Sequence, residues 1–439
     1  MAMMDLMKKI KNKTATVGVI GLGYVGLPLA VEKAKAGYDV IGFDVQKEKV
    51  DKVNKGENYI GDVVDFDLKA LVARDKLRAT GNYSFLKDVD TVTICVPTPL
   101  DKFKQPDLTY IINSTKEIAK YLHRDELVIL ESTTYPGTTE EVVLPILEST
   151  GLKVGRDFYL AFSPERVDPS NKIYHTKNIP KVVGGVTPKC SELAKALYES
   201  ILESDVFVVS TPRVAELEKI LENTFRIVNI ALANEMAIVC DRMDINIWEV
   251  IEAAKTKPYG FMAFYPGPGV GGHCIPIDPF YLTYKAREYD YHTRLIELAG
   301  EINDSMPEFV VSKLMRLLNE RKKCLNGAKV LLLGIAYKQD VDDIRESPAL
   351  MVWKELQKHG AEVLYHDPYI SRFKNKEDEK MYESVNLNED ILKTVDAVVI
   401  TTMHTNVDYE KVIAYSPLVF DTKNVTGKIK GNKENVYVL

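Results

Sequence analysis

The sequence is poor in cysteine and contains no long apolar run. Its 439 residues include 5 cysteines, an odd number without a C-x-x-C pair, which argues against a disulfide framework or a structural zinc site. No apolar stretch approaches the ~20 residues of a membrane span, and the N-terminal segment carries too many charges for a signal peptide. Basic residues form no long run, and 57 Lys and Arg against 63 Asp and Glu give a formal charge of −6. These absences predict a cytoplasmic protein without a metal, a nucleic-acid partner or membrane insertion.

What the chain does contain first is a dinucleotide-binding pattern. Thr16–Ile20 is predicted to be a buried strand, and Gly21–Gly26 reads Gly-Leu-Gly-Tyr-Val-Gly and opens a helix. A second strand is predicted over Asp39–Phe43 and leads directly to Asp44. The glycines permit a tight turn and close backbone approach to a pyrophosphate, which the helix N-terminus then faces. Asp44 would accept hydrogen bonds from ribose hydroxyls and repel a 2′-phosphate, which favours NAD over NADP, although Lys47 and Lys49 could weaken that exclusion.

The pattern returns later in the chain. Leu86–Ile94 is repeated in Leu392–Ile400, and Gly37–Asp44 is repeated at the same spacing in Gly360–Asp367. The second copy opens with Lys329–Gly334 but lacks the full glycine pattern, so it is predicted to hold a different nucleotide or none. At roughly 100–200 residues per domain, the length agrees with such a repeat.

We therefore predict an α/β fold with two Rossmann-like doubly wound domains, joined by a long central helix and a helical segment. The predicted divisions are an N-terminal dinucleotide-binding domain over 1–209, a central helical segment over 210–324, and a second Rossmann-like domain over 325–439. The central helix is predicted to begin at Ser210-Thr211-Pro212, which combines an N-cap hydroxyl with proline at the first helical position.

The central helix changes character along one side. Its first half carries a polar arc, at ~100° per residue, of Glu216, Glu218, Lys219, Glu222, Asn223 and Arg226. Further along, the same side carries Ile230, Ala233, Met236, Ala237 and Cys240. The prediction is a helix that passes into complete burial, whose buried half forms a subunit interface of a homodimer.

Several residues could carry chemistry, each with an ordinary structural alternative. Cys274 follows two glycines in a loop, so it is either a nucleophile or part of a tightly packed turn, whereas the other four cysteines are interpreted as packing thiols. Lys219 and Asn223, at i and i+4, could hold an oxyanion or form a solvated helix face. Glu165 follows a strand-like run and is either catalytic or a surface residue. His273 is a candidate base or a structural donor.

A set of motifs then occurs in a fixed order: Gly21–Pro28, Val96–Pro99, Glu131–Thr133, Ser163–Val167, Glu218–Asn223, Gly271–Cys274, and Ala336–Lys338 with Arg345–Pro348. Over nearly its whole length the chain resembles the nucleotide-sugar 6-dehydrogenases, the UDP-glucose/UDP-N-acetylmannosamine dehydrogenase family. His273 replaces the serine usual in the UDP-glucose enzymes, and Ile277 stands where those enzymes often have lysine. The string from His273 to Leu282 most resembles the UDP-N-acetylglucosamine 6-dehydrogenases.

The resemblance implies a four-electron oxidation of the sugar C6 alcohol to a carboxylate, with two NAD consumed per turnover. It implies that Cys274 forms a thiohemiacetal and then a thioester, which water hydrolyses. Lys219 and Asn223 would stabilise the oxyanions, Glu165 would be the general base, and Asp278 would position Lys219 or the attacking water.

The resemblance also implies two sets of binding residues. The implied cofactor residues are Gly21, Gly23, Tyr24, Val25, Gly26, Asp44, Thr98 and Thr133. The implied UDP-sugar residues are Arg166, Val167, Lys219, Asn223, Arg226, Gly271, Tyr337, Lys338, Arg345 and Lys423. Lys423 stands where many relatives have arginine, and lysine supplies charge without a planar fork. With these residues the domain over 325–439 would bind the UDP-sugar.

Other functions remain open from the sequence. The implied substrate is UDP-N-acetylglucosamine, with UDP-N-acetylmannosamine and then UDP-glucose as alternatives. A two-electron hydroxyacid dehydrogenase would need Lys219 and Asn223 but not Cys274, and a non-catalytic regulator that binds NAD or a nucleotide sugar would tolerate the loss of Lys219 and Cys274.

Overall fold

The computed structural model describes residues 2–101, 103–167, 173–272 and 275–439. His273 and Cys274, which the sequence analysis singled out, lie outside the described residues. The chain packs as two units, one made of the residues up to Glu222 with Phe280–Tyr291, and the other of Asn223–Pro279 with His292–Leu439. The domain boundaries placed at 209/210 and 324/325 stay predictions.

An eight-stranded sheet forms the centre of the first unit, in the order β3-β2-β1-β4-β5-β6-β7-β8. Its strands are β1 Thr16–Ile20, β2 Asp39–Phe43, β3 Leu77–Thr80, β4 Thr91–Ile94, β5 Leu127–Leu130, β6 Tyr159–Phe162, β7 Lys181–Gly185 and β8 Val206–Val209. All neighbouring strands run parallel except β6 and β7, which pair antiparallel through Ala161 with Gly185 and Phe162 with Gly184. The predicted doubly wound arrangement is confirmed, with one reversal of direction that the sequence analysis did not foresee.

The central strands of this sheet are buried along their whole length because helices cover the sheet. They are α1 Ala2–Asn12, α2 Gly26–Lys35, α3 Lys47–Lys55, α4 Asp65–Ala73, α5 Thr109–Tyr121, α6 Leu144–Glu148 and α7 Pro188–Glu199, with a 3-10 turn at Tyr83–Asp88 and a π-helical turn at Thr139–Val143. The helix predicted after the glycine loop is α2, and it ends two residues before Gly37, which has a φ of +111°.

Long helices follow the first sheet, as predicted. They are α8 Pro212–Met243, α9 Ile247–Lys255, α10 Asp278–Ala286 and α11 Arg294–Glu320, with a 3-10 turn at Arg287–Tyr289. The predicted start of the central helix is confirmed: α8 begins at Pro212, and the hydroxyl of Thr211 accepts a hydrogen bond from the N–H of Val214 at 3.4 Å.

The second sheet is a shorter copy of the first. Its order is β10-β9-β13-β14-β15, all parallel, with strands β9 Lys329–Leu333, β10 Glu362–His366, β13 Ala397–Ile400, β14 Val419–Asp421 and β15 Val436–Val438. A small hairpin of β11 Arg372–Lys374 and β12 Met381–Glu383 stands apart, and α12 Pro348–Lys358, α13 Glu389–Thr394, α14 Tyr409–Tyr415 and a 3-10 turn at Val425–Lys428 complete the domain. The order matches β2-β1-β4-β5-β6 of the first sheet, which confirms the second Rossmann-like domain.

The faces of α8 differ from the prediction. Glu216 in the predicted polar arc is fully buried, where its carboxylate accepts hydrogen bonds from the N–H groups of Gly137 and Thr139. Further along, Cys240 is buried as predicted, but Met236 is 39% exposed, so burial is not complete. The homodimer interface predicted on this half of the helix stays a prediction.

The exposed apolar side chains of α8 form an arc that shares only Met236 with the side predicted to be buried. They are Val214, Leu217, Leu221, Phe225, Leu232, Met236, Val239 and Met243. Their spacings of three, four and seven residues place them in one arc, because successive helical residues are ~100° apart. This apolar stripe of α8 runs nearly the whole helix, whose 32 residues span about 48 Å.

The cysteines divide differently from the prediction. Cys95, Cys190 and Cys240 are buried, in agreement with packing roles, whereas Cys324 is exposed. Within the described ranges, no helix combines the length and apolar character needed to cross a bilayer. The same residues contain no group of three or more His, Cys, Asp and Glu side chains placed to hold a metal ion.

Candidate active site

The glycine loop lies at the carboxyl edge of the first sheet. Gly21 has a φ of +91°, and a Cβ there would come within 2.5 Å of the Cys95 carbonyl oxygen. A Cβ on Gly26 would come within 1.8 Å of the Gly21 carbonyl oxygen, so both positions are fixed by the backbone. A Cβ on Gly23 would meet nothing within 4 Å. The open space beside Gly23 and the N-terminus of α2, which has no side-chain cap, fit a bound pyrophosphate.

Asp44 lies directly after β2 and is held against this loop. One carboxylate oxygen accepts the N–H of Leu22 at 2.9 Å, and the other accepts the N–H of Gln46 at 2.8 Å. Lys49 lies 3.7 Å from the carboxylate, so the lysine that the sequence analysis flagged does face Asp44. The carboxylate is therefore oriented by the backbone at the position where a dinucleotide ribose would lie.

The other predicted cofactor residues share this edge of the sheet. Thr98 follows β4 and is buried, and its carbonyl oxygen accepts a hydrogen bond from the Tyr281 hydroxyl. Thr133 follows β5 and is partly buried, while Tyr24 is half exposed and Val25 partly buried in the glycine loop. Because β1, β2, β4 and β5 run parallel, their carboxyl ends meet at one edge, and the structure brings the predicted cofactor residues together there.

Glu165 follows β6 at this edge and has a fixed carboxylate. One oxygen accepts the N–H groups of Arg166 and Val167, both at 2.8 Å, and the other lies 3.5 Å from the ammonium nitrogen of Lys181. Burial favours the neutral acid, but the charge of Lys181, the two N–H groups and the charge of Lys219 outweigh it, so the pKa of Glu165 lies below its usual range. The carboxylate is ionised at neutral pH, as a general base must be.

Arg166 is engaged by carboxylates of α8. Its guanidinium lies 2.5 Å from Glu222 and 3.4 Å from Glu218, and it donates to the Pro180 carbonyl at 3.0 Å. Burial and the neighbouring Glu222 raise the pKa of Glu218 to about 7. A substrate that bound the Arg166 guanidinium would have to displace these partners. The backbone N–H of Val167 already donates a hydrogen bond to Glu165.

The residues expected around the reacting carbon fall on α8 and α10. Lys219 is partly buried and Asn223 is buried, one helical turn further along α8. The amide nitrogen of Asn223 donates to the carboxylate of Asp278 at 2.6 Å, and Asp278 is buried at the start of α10. Asp278 was expected to position Lys219 or a water molecule, and the contact found is with Asn223. Arg226, a predicted substrate residue, is exposed.

In the second unit, the glycine-rich loop 267–272 packs tightly on the loop between β9 and α12. A Cβ on Gly271 would come within 2.7 Å of Pro348 and 2.8 Å of the Glu346 carbonyl oxygen. The N–H of Gly272 donates to the Arg345 carbonyl at 3.3 Å, and a Cβ there would lie 2.9 Å from the ring of Tyr337. The predicted substrate residues Gly271, Tyr337 and Arg345 are thus brought together.

Basic side chains border this pair of loops. The ammonium nitrogen of Lys423 points at Gly267, where an added Cβ would lie 2.7 Å away. Loss of solvent around Lys423, only partly offset by Asp421, lowers its pKa to about 8. Arg345 donates through Nε and one terminal nitrogen to the Asp343 carboxylate at 2.6–3.1 Å, and Lys338 is partly buried on the same loop.

Charged residues that were not predicted are buried next to the carboxyl edge of the first sheet. Lys181 contacts the carboxylate of Glu131, which also accepts a hydrogen bond from the Tyr198 hydroxyl at 3.1 Å. Lys33 is fully buried in α2 and donates to the hydroxyl of Thr93 at 2.6 Å, and burial lowers its pKa to about 8. The sequence signal that could have found them is a lysine within an apolar pattern. Lys33 lies on the apolar side of its helix, and Lys181 is the first residue of an apolar strand.

A dinucleotide loop with an oriented Asp44, beside an ionised glutamate and buried lysines, defines the class of dinucleotide-dependent oxidoreductases. Sequence comparison narrows the class. The UDP-glucose/GDP-mannose dehydrogenase family matches in all of its parts, with its NAD binding domain at residues 15–202, its central domain at 213–305 and its UDP binding domain at 331–428. The chain belongs to this family and is an NAD-dependent nucleotide-sugar dehydrogenase.

Relatives named for their activity include two kinds of hexosamine enzyme. The chain is 41% identical to the UDP-N-acetyl-D-glucosamine 6-dehydrogenase of Pseudomonas aeruginosa, over 82% of this chain and 84% of that protein. It is 39% identical to the UDP-N-acetyl-D-mannosamine dehydrogenase of Pyrococcus horikoshii, over 88% of this chain and 89% of that protein. A solved structure of a UDP-D-ManNAc dehydrogenase from Pyrococcus horikoshii superposes with a TM-score of 0.87 at 36% identity, covering 96% of this chain and 98% of that one.

Proposed function

We propose that the chain oxidises the C6 alcohol of UDP-N-acetylglucosamine to the carboxylate, with two NAD reduced per sugar. Support comes from the family membership, from relatives named for N-acetylhexosamine substrates, and from the segment around His273 and Ile277, which departs from the UDP-glucose enzymes. UDP-N-acetylmannosamine is the alternative substrate, because relatives of both names match over most of the chain.

The cofactor residues form one binding surface. Gly23 and the start of α2 would face the pyrophosphate, Asp44 the adenosine ribose, and Thr98 and Thr133 the nicotinamide half. Bound NAD supplies a hydride acceptor. Gly21 and Gly26 keep the loop in the shape that this approach requires.

Cys274 allows the second oxidation. The first hydride leaves C6 and the hydroxyl proton passes to a base, which gives an aldehyde; the Cys274 sulfur then adds to C6 and forms a thiohemiacetal. Loss of a second hydride and of the hydroxyl proton gives a thioester. Water adds to this carbon, the C–S bond breaks, and the carboxylate and the thiol are released. Covalent capture keeps the reactive aldehyde on the enzyme until it is oxidised.

Asn223 and Lys219 stabilise the oxyanions of these steps. The observation that carries this assignment is the 2.6 Å hydrogen bond from Asn223 to Asp278, a residue four positions after Cys274 in sequence, because this bond orients the Asn223 amide. Of the two N–H groups on that amide, one is used by Asp278, and we assign the other to the oxyanion. Glu165, ionised and fixed by two backbone N–H groups, takes a proton from the water that attacks the thioester.

The first test is an NADH count per sugar consumed, with UDP-N-acetylglucosamine, UDP-N-acetylmannosamine and UDP-glucose assayed in parallel. We expect two NADH per UDP-N-acetylglucosamine and the highest kcat/KM for that sugar. A count of one would remove the four-electron reaction and favour a hydroxyacid-type dehydrogenase. Preference for UDP-N-acetylmannosamine would change the substrate and keep the mechanism, and turnover of UDP-glucose alone would overturn the hexosamine assignment.

The second test is Cys274→Ala with Cys274→Ser as its partner. Both variants are expected to bind NAD as the wild type does and to form no uronic acid, because neither side chain carries a thiolate. Intact-protein mass after acid quench should show a sugar adduct on the wild type only. Normal acid formation by Cys274→Ala contradicts the thioester route.

We further propose a homodimer formed through the apolar stripe of α8. Contiguous exposed apolar surface marks interaction sites, and this stripe follows nearly all of a helix about 48 Å long. A second copy of the same helix would be complementary to it. Leu221→Glu, at a residue 62% exposed, is expected to reduce the molar mass measured by light scattering to that of one 49.5 kDa chain. Glu249→Lys on α9 is the matched control for a surface charge change. A monomeric wild type at micromolar concentration contradicts the dimer.

The thiol chemistry also requires a reducing compartment, and the cytoplasm is our proposed location.

A further inference from the structure

Lys181 is a buried cation between two carboxylates. Its side chain is 5% exposed, while those of Glu131 and Glu165 are 0% and 13% exposed. The ammonium group contacts Glu131 directly. It lies 3.5 Å from the free oxygen of Glu165, by which we mean the oxygen that does not accept the N–H groups of Arg166 and Val167. An ammonium group in such a place is costly unless its charge is compensated, so both carboxylates help to keep it protonated. Burial lowers the pKa of Lys181, but Glu131 and Glu165 outweigh that effect and the net pKa is raised.

The reversed strand explains why the cation is at this edge. β5 and β6 run parallel, so Glu131 and Glu165, which follow them, lie at the same edge of the sheet. In an all-parallel sheet the first residue of β7 would lie at the opposite edge. Because β7 runs antiparallel to β6, with Phe162 opposite Gly184, the strand starts where β6 ends and delivers Lys181 to the carboxylates. The one antiparallel pair of this sheet thus has a specific chemical result.

Other charged groups surround the same carboxylate of Glu165. Lys219 acts on it from α8, and the guanidinium of Arg166 follows it in sequence. Behind Lys181 lie Cys95 and the Tyr198 ring, whose centroid is 5.0 Å from the ammonium nitrogen. Lys33 interacts with Glu131 and Cys95 from α2. Among the residues that the structure describes, Lys181 is the cation within 3.5 Å of the second Glu165 oxygen, the one that accepts neither the Arg166 nor the Val167 N–H.

We propose that Lys181, anchored by Glu131, is a positioning residue that holds the Glu165 carboxylate ionised and aims its free oxygen at the water that hydrolyses the thioester. This inference rests on the proposed role of Glu165 as the base. Lys181 does not touch the substrate; it acts through Glu165. An opposite charge within about 4–6 Å lowers a carboxyl pKa by about 1–3 units, so Lys181 extends hydrolysis to lower pH.

The test compares variants that damage the same buried cluster but change its charge in opposite directions. Lys181→Met removes the cation beside Glu165, whereas Glu131→Gln removes the anion that competes for it. The measurement is the first-order rate constant of uronic acid formation in a single turnover, by acid quench from pH 5 to 9. Intact-protein mass of the same samples gives the fraction of enzyme that still carries the sugar adduct.

We expect the acid limb of this profile to move up by about 1–3 pH units in Lys181→Met, with adduct accumulating at pH 6. In Glu131→Gln the limb is expected to stay or move to lower pH. Lys181→Arg keeps the charge and should retain the wild-type limb. Loss of packing alone would lower the stability of both variants and give no shifts of opposite sign. An unmoved limb in Lys181→Met, or an upward shift in both, overturns the proposal.

If Lys181→Met does not fold, the double variant Lys181→Met/Glu131→Gln takes its place, because the cation and its main anion then leave together. Its acid limb is expected above that of Glu131→Gln alone, and an identical limb overturns the proposal. Failure of the proposed function appears elsewhere, in a wild type that gives no second NADH or no adduct. If the wild type gives the second NADH and the adduct, and the acid limb does not change when Lys181 is replaced, only this inference is overturned.

Discussion

The two Rossmann-like sheets share their first turn and differ in the segment after that turn. Gly21 and Gly334 have φ values of +91° and +86°, and a Cβ on either would lie 2.5–2.6 Å from a backbone carbonyl oxygen of the neighbouring strand's loop. In the first sheet α2 begins at Gly26, so a helix N-terminus directly faces the loop. In the second, residues 335–347 intervene before α12 begins at Pro348. The turn is therefore a requirement of the strand geometry, and the helix N-terminus is the separate feature that serves a pyrophosphate.

The acidic residue of the pattern also has two uses. Asp44 and Asp367 each accept the N–H of the residue after the glycine, Leu22 at 2.9 Å and Ile335 at 2.7 Å. Asp367 is in addition bonded to the buried His404 ring at 3.1 Å. The carboxylate of the second copy is committed to the fold, and its loop carries basic side chains instead. A repeated acidic residue is thus weak evidence for a second dinucleotide site.

Asp367→Ala gives the largest expected effect. It leaves His404 and four backbone N–H groups without their acceptor, which should cost about 3–5 kcal/mol of unfolding free energy. Both tryptophans of the chain, Trp248 and Trp353, lie in the second unit, so their fluorescence in urea follows its unfolding. Asp44→Ala should weaken NAD binding and change that transition little. Equal losses of stability in the two variants would erase the distinction.

The same residue predicts a pH dependence. Burial raises the pKa of Asp367, but His404 and the backbone N–H groups outweigh it, and the folded pKa lies below the usual value. Its contribution to stability is therefore present above the unfolded pKa of about 4 and is lost as the pH falls through the folded pKa. Wild type should lose stability over that range more steeply than Asp367→Ala.

Gly23→Ala separates the loop's shape from its ligand. A methyl group there meets no protein atom within 4 Å, so thermal stability should stay within about 2 °C. The methyl group would occupy the space assigned to the pyrophosphate, and NAD affinity by calorimetry should fall about tenfold or more. Gly334→Ala is the matched control, with loss of stability and normal NAD affinity expected. Unchanged NAD binding by Gly23→Ala would move the cofactor away from this loop.

Lys423→Arg gives the smallest effect. Since burial lowers the pKa of Lys423 to about 8, the wild type should lose its ammonium charge between pH 7 and pH 9, and the KM for the UDP-sugar should rise roughly threefold to tenfold. Arginine remains protonated, so the KM of Lys423→Arg should be flatter over this range. Lys338→Arg serves as the control. A wild-type KM independent of pH would mean that Lys423 does not meet the diphosphate.

Local patterns predicted the fold well. β1 and β2 have the predicted bounds, because buried apolar runs end there at a glycine turn and at Asp44. The repeat of Leu86–Ile94 in Leu392–Ile400 revealed the second sheet, since strand β4 and strand β13 occupy equivalent positions. These features depend on neighbours in sequence or on an internal copy, both of which a single chain displays.

The charged cluster could not be predicted in the same way. Lys181 and Glu131 are 50 positions apart, and the reversal of β7 that joins them leaves no local mark in the sequence. Glu216 was assigned to a polar arc because helical periodicity does not tell a solvated carboxylate from one that caps the N–H groups of Gly137 and Thr139. Whether a charged side chain is buried at such a position depends on partners that are distant in sequence. Helical or strand periodicity carries no information about those partners.

The exposed Cys324 has a practical consequence for reagent chemistry. It follows α11, whereas Cys95, Cys190 and Cys240 are shielded from solvent. An electrophile applied to the native enzyme should alkylate Cys324 whether or not it inactivates the protein, so the stoichiometry of labelling will exceed that of inhibition. Covalent inhibitors and fluorophores are best characterised on a Cys324→Ser background, and the native thiol offers a ready attachment point on the surface.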